Sequence, residues 1–167
     1  MANVRADWCE LPNGLVVEPY YVLEENEWVH VFALDDNNRL SLVRQYPYAG
    51  NAVCTELPGG AVEGDEDPID AAKRALMDET GYLAKHWRKL GVLFANHERQ
   101  SNRIHTFLAR ELVQGGAQRL DSTEDISISF ADLRSVNSMI SSGEFSQSLP
   151  VALSFLGCQS AVDDGKM

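Results

Sequence analysis

The sequence predicts an α+β fold, and three observations carry that prediction. Short β-branched and aromatic runs, separated by polar turns, fill the first half of the chain. One helix with clear start and stop signals follows them at 68–80. Further strand-like runs then lead into two C-terminal helical stretches. A chain of 167 residues, 44% apolar and 23% charged, suits one soluble domain with a sizeable core.

Leu15 to Leu23 and Trp28 to Leu34 read as strands, with the polar turn Glu24-Glu25-Asn26-Glu27 between them. Asp35-Asp36-Asn37-Asn38 is a second turn, and Arg39 to Tyr46 a further strand of what reads as a meander. Val53 to Leu57 is a short strand ended by Pro58-Gly59-Gly60. In the helix that follows, Asp67 is the expected cap and Pro68 suits the first helical position. Ile69, Ala72 and Leu76 fall on one face, and Gly81 suits the left-handed residue that closes a helix. Leu90–Ala95, Arg103–Leu112 and Ile126–Phe130 read as strands. Ala131–Ser141 and Leu149–Leu156 read as helices. The expected organisation is one domain over 1–156, beginning with N-terminal strands over 1–45, and a flexible tail over 157–167.

The net charge of −11 argues against nucleic-acid and membrane-surface partners, both of which are anionic. A small anionic ligand held through a cation remains compatible with it. Cys9, Cys54 and Cys158 form no Cys-x-x-Cys pair and are odd in number, so free thiols in a reducing cytoplasm are expected. The N-terminus has no apolar signal core, and no apolar run approaches the roughly 18 residues needed to span a bilayer. His30, His86, His97 and His105 form no zinc pattern. Neither a Gly-x-Ser-x-Gly elbow nor a phosphate loop ending in Gly-Lys-Ser/Thr is present.

The run from Gly59 to Tyr82 carries the chemistry. It is a glycine loop, then a helix with Asp78 and Glu79 away from its apolar stripe, then a glycine stop. Glu63 and Glu66 precede the helix. Magnesium or manganese takes carboxylate, carbonyl and water oxygens, and a diphosphate supplies more. The glycines allow the backbone, including the Gly59 carbonyl, to come close to such a cation. On composition alone, a solvated, acid-rich surface helix is the favoured reading of the run.

The spacing favours the site. The run resembles the signature of the Nudix hydrolases: Gly, five residues, Glu, seven residues, then Arg-Glu-apolar-any-Glu-Glu-any-Gly-apolar. Gly60, Glu66, Arg74, Leu76, Glu79, Gly81 and Tyr82 fit it. Leu42-Val43-Arg44-Gln45-Tyr46, Glu56-Leu57-Pro58-Gly59-Gly60, Arg103 to Ala109 and Glu124-Asp125-Ile126 resemble the ADP-ribose pyrophosphatase branch. That resemblance implies an α/β/α sandwich around a mixed sheet and a homodimer with swapped N-terminal strands. It implies magnesium- or manganese-dependent hydrolysis of a nucleoside diphosphate derivative, of ADP-ribose or nucleotide-sugar type. Gly59, Asp78, Glu79 and Glu124 are the implied metal ligands, with Glu79 and Glu124 catalytic. Arg44, Glu56 and His97 are the implied substrate contacts. Arg74 is expected to brace the loop through Glu63 or another acid.

The chain departs from the pattern at three points. Ala75 replaces a glutamate that ligates metal in the family, Asp78 is one methylene shorter than the usual Glu, and Asn96-His97-Glu98 stands where the branch often has a proline. Ser122 stands where many relatives carry an acid. Reduced activity is therefore expected. The alternative is a non-catalytic binder that senses ADP-ribose or a related nucleotide.

Overall fold

The computed structural model describes residues 3–145 and 148–163. Chain order runs β1 (Asn3–Glu10), β2 (Val16–Glu24), β3 (Trp28–Leu34), β4 (Arg39–Gln45), β5 (Cys54–Glu56), β6 (Gly59–Ala61), α1 (Pro68–Thr80), β7 (Tyr82–Phe94), β8 (Arg103–Gln114), β9 (Ser127–Asp132), α2 (Val136–Ser142) and α3 (Ser148–Asp163).

β3 is apolar at nearly every position because it is buried on both faces. Phe32 and Leu34 point into one core layer with Leu40, Leu42, Leu108, Val136 and Phe145, against which Val151 and Leu156 of α3 pack. Val29, Val31 and Ala33 point the other way, onto Ala71, Ala72, Ala75 and Leu76 of α1. The alternation of one strand thus divides the core between two helical layers. This is the α/β/α arrangement around a mixed sheet that the sequence predicts.

The expected meander is interrupted. β8 comes from much later in the chain and pairs parallel to β3, from Trp28↔Ile104 to Leu34↔Arg110. β6 pairs antiparallel to the start of β3, while β4 carries β5 and β9. The β3–β4 reversal follows from local chemistry. The Asp35 carboxylate accepts the N–H groups of Asn37 and Arg39 at 2.9 and 2.8 Å, and Asn38 takes φ 56°. β1 and β2 form a separate antiparallel hairpin. It meets the rest of the chain through the Leu23 N–H on the Arg99 carbonyl and the Tyr20 hydroxyl on the Glu98 carbonyl.

Three expected boundaries move. β7 begins at Tyr82, not Leu90, and lies at an edge of the sheet, with a register break between Lys89 and Gly91. Its Lys85, His86, Arg88 and Lys89 hide the strand in the sequence because an edge tolerates charge. The helix expected from Ala131 starts at Val136, since Ala131 and Asp132 still pair with Leu40 and Arg39. The expected flexible tail is helical through Asp163. Gly157 does not end α3. It lets the helix approach Phe32, whose ring atoms would lie 2.2–2.5 Å from an added Cβ. Residues 164–167 of that tail lie outside the described residues.

Candidate active site

α1 starts and stops where its punctuation says. Pro68 occupies the first turn and Gly81 closes the helix at φ 72°. Asp67 stands at the cap position, but its side chain makes no capping bond there; its carbonyl accepts the N–H groups of Asp70 and Ala71. The small residues of the helix face the sheet, which leaves Asp78 and Glu79 to line a groove at its C-terminal end.

That groove has a volume of about 500 Å³. Glycine loop, helix end and a later loop form its walls, and Trp28 and Gln45 complete it. Gly59 lies so close to β3 that an added Cβ would sit 2.5 Å from the Val29 carbonyl oxygen, so only glycine fits. Its N–H donates to Glu79 Oε2 at 2.8 Å and fixes that carboxylate. Burial pushes the Glu79 pKa up to about 8, the Gly59 hydrogen bond pulls it down, and Glu124, Glu56 and Asp78 push it further up. The site therefore concentrates negative charge around one poorly solvated carboxyl.

The wall opposite comes from residues 115–125. Gln118 Nε2 donates to the Glu79 carbonyl at 2.6 Å and to the Ile126 carbonyl at 3.2 Å. The Arg119 N–H donates to the Asp78 carbonyl at 2.8 Å, and those of Gly115 and Gly116 donate to the Gly81 carbonyl. The Asp78, Glu79 and Gly81 carbonyls belong to the end of α1 and would otherwise lack partners. Hence the loop is fastened to the helix end that carries Asp78 and Glu79. Farther along it, Glu124 accepts the Asp121 N–H at 2.9 Å and shapes its own turn.

Of the residues expected to form the site, Gly59, Asp78, Glu79 and Glu124 line this one groove. Glu56 is buried behind it, 6% exposed, holding Gln45 Nε2 at 3.3 Å, and burial raises its pKa. Arg44 is exposed on β4 between Thr55 and Ser127 and is not part of the lining. His97 lies elsewhere, in a cleft beside the hairpin with Arg5, Tyr20 and Phe94. Arg74 braces the loop as expected, through Glu66 at 2.6 Å, Glu63 at 3.5 Å and the Ala61 carbonyl at 2.8 Å. Glu66 is thereby committed to structure, and its pKa falls through Arg74. Trp28, Tyr46, Tyr48 and Phe94 are exposed. Gln118, Arg119 and Asp121 belong to the site without any signal in the sequence, because a loop's anchors carry no periodicity.

Ala75 is 3% exposed and lies where α1 meets Gly60, on the floor of the groove. Oxygen donors suit a hard divalent cation, and Asp78, Glu79 and Glu124 supply them from one groove. Among the described residues, no three acidic, histidine or cysteine side chains converge as a ready coordination set. The donors fit a cation whose coordination is completed by a ligand's phosphate oxygens.

Comparison with known proteins agrees with this geometry. A family model for the NUDIX domain matches residues 26–147. The chain is 30% identical over 136 residues to the ADP-ribose pyrophosphatase of Bacillus subtilis (strain 168), covering 81% of this chain and 73% of that one. It is 30% identical over 130 residues to the methanol dehydrogenase activator of Bacillus methanolicus, covering 77% and 69%. It is 26% identical over 151 residues to the ADP-ribose pyrophosphatase of Mycobacterium tuberculosis (strain ATCC 25618 / H37Rv), covering 89% and 72%. The crystal structure of an ADP compounds hydrolase shares the fold, with TM-score 0.89 and 21% identity over 100% of this chain and 90% of that one. The chain belongs to the Nudix family and resembles its ADP-ribose pyrophosphatases.

Proposed function

We propose that this Nudix pyrophosphohydrolase cleaves the diphosphate of a nucleoside diphosphate derivative, of ADP-ribose or nucleotide-sugar type, at a reduced rate. The observation that carries the reading is that Asp78, Glu79 and Glu124 line one groove beside a glycine loop. Nudix hydrolases generally use divalent metal ions, and magnesium or manganese is the proposed one here. When bound, such an ion neutralises charge that develops on the phosphates. Glu79, Asp78 and the Gly59 carbonyl would hold it.

The chain's own residues do the rest. The Gly59 N–H holds Glu79 Oε2 in place, which leaves Oε1 for ligand or proton. Glu124, on an exposed turn of the same groove, is the proposed base for the attacking water. The fastened loop keeps that turn in register with the helix end, so the groups meet without a search. Ala75 removes one carboxylate from this set, which lowers cation affinity and with it the rate.

A homodimer through the β1–β2 hairpin belongs to the same reading. Val4, Trp8, Val16 and Tyr21 of the hairpin are more than half exposed, an apolar surface suited to a second copy. Cys9, Cys54 and Cys158 are thiols outside any disulfide among the described residues, which suits a cytoplasmic protein.

The test is nucleoside monophosphate release from ADP-ribose and nucleotide sugars with magnesium or manganese, for the native protein and for Ala75→Glu. We expect slow release that Ala75→Glu raises at least about tenfold, the rate equivalent of about 1.4 kcal/mol. Tight ligand binding with no release from either protein would make the chain a nucleotide sensor instead. Native activity that Ala75→Glu leaves unchanged would refute the metal-ligand assignment.

A further inference from the structure

The acid groove contains two arginines, and only one of them is committed. Arg74 spends its guanidinium on Glu66, Glu63 and the Ala61 carbonyl. Arg119 is held by its backbone alone, its N–H on the Asp78 carbonyl at 2.8 Å. Its guanidinium makes no hydrogen bond or ion pair with any other described residue, although Glu63, Asp78, Glu79, Asp121 and Glu124 line the same groove. Part of the reason is that nearby acids already have partners. Glu79 holds the Gly59 N–H, Glu124 the Asp121 N–H, and Glu63 reaches toward Arg74.

The backbone beneath Arg119 is not loose. Gln118 ties it to the Glu79 and Ile126 carbonyls. A fixed Cα with an uncommitted guanidinium presents a planar, permanently charged fork to whatever enters the groove. An anion entering a groove lined by five carboxylates needs positive charge. A bound cation supplies part of it; a guanidinium supplies two parallel donors matched to phosphate oxygens.

We propose that Arg119 is a substrate-binding residue that grips the diphosphate from the loop side of the groove. The proposal rests on the diphosphate reading above and adds a residue to it. A contact made equally in the ground and transition states raises affinity without changing turnover. Arg119→Ala is therefore expected to raise KM for ADP-ribose, and its Kd by calorimetry, about tenfold to a hundredfold, the range of a hydrogen bond to a charged group. We expect kcat to stay within about threefold. Arg119→Lys keeps the charge but loses the fork and should recover only part of the affinity. Because Arg119 is exposed, melting temperatures should match the native one. If Arg119→Ala does not fold, Arg119→Gln carries the same comparison. Native protein that binds ADP-ribose while Arg119→Ala binds it within about twofold would overturn this proposal and leave the diphosphate reading standing. Native protein that neither binds nor cleaves any nucleoside diphosphate derivative would overturn both.

Discussion

At the scale of single residues, two positions show how burial and neighbours set chemistry here. Burial and crowding by other carboxylates raise the Glu79 pKa to about 8 against the opposing pull of the Gly59 N–H. His30 is the basic counterpart. It is 6% exposed on β3, and burial lowers its pKa from 6.5 to about 4, against the opposing pull of a hydrogen bond to the Leu57 backbone. As pH falls, the unfolded chain takes up the His30 proton first. Stability from this residue is therefore complete above pH 6.5 and lost as pH falls toward 4, by about 3 kcal/mol. Urea denaturation across that window should show a steeper acid loss for the native protein than for His30→Gln. Parallel curves would mean that His30 titrates normally. Helical spacing and a glycine loop bring Gly59, Asp78 and Glu79 together by rule, whereas Glu124, which lines the same groove, was legible only through the resemblance carried by Glu124-Asp125-Ile126. His97 lines a different cleft of this chain, and a histidine in an irregular loop has no period to fix its direction.

At the scale of elements, helix-to-sheet distance is set by small residues on both sides of the sheet. Ala71, Ala72 and Ala75 let α1 lie close to β3, and Gly157 does the same for α3 against Phe32. Phe32 is fully buried and has no room to withdraw from an added Cβ. Gly157→Ala should therefore destabilise the protein by about 1–2 kcal/mol, since overpacking exceeds the gain of up to about 1 kcal/mol in helix preference. A thermal melt reads this directly, and an unchanged or higher Tm would show that α3 can shift away. The same glycine explains a misread boundary. Composition treats Gly as a stop, whereas a close approach makes the same demand on sequence. β3 was legible as an unbroken β-branched and aromatic run and α1 by its helical period and punctuation; β6 and the first half of β7 were not, the one too short and the other too charged.

At the scale of the whole molecule, the hairpin and the domain behave as different bodies of surface. β1 and β2 pair only with each other in the ladders, and their apolar side chains Val4, Trp8 and Tyr21 have little of this chain to cover them. If a second copy covers them, Trp8→Glu should convert a dimer to a monomer in sedimentation, with the melting temperature of the main domain little changed. A native protein that already sediments as a monomer would refute the dimer. The parallel pairing of β3 with β8 was out of reach of the sequence, because a contact between residues so far apart leaves no local signature.

The long edge strand bears on a different property, the behaviour of the protein at high concentration. β7 is 13 residues long and offers a row of backbone donors and acceptors, the template on which strands of other molecules add. Lys85, His86, Arg88 and Lys89 crowd one stretch of it with side chains that copies of the same strand would bring together, and the break at Lys89/Gly91 spoils a continuous ladder. In a chain of net charge −11, the lysines and arginine gathered on that edge serve as its guard against fibrous self-association.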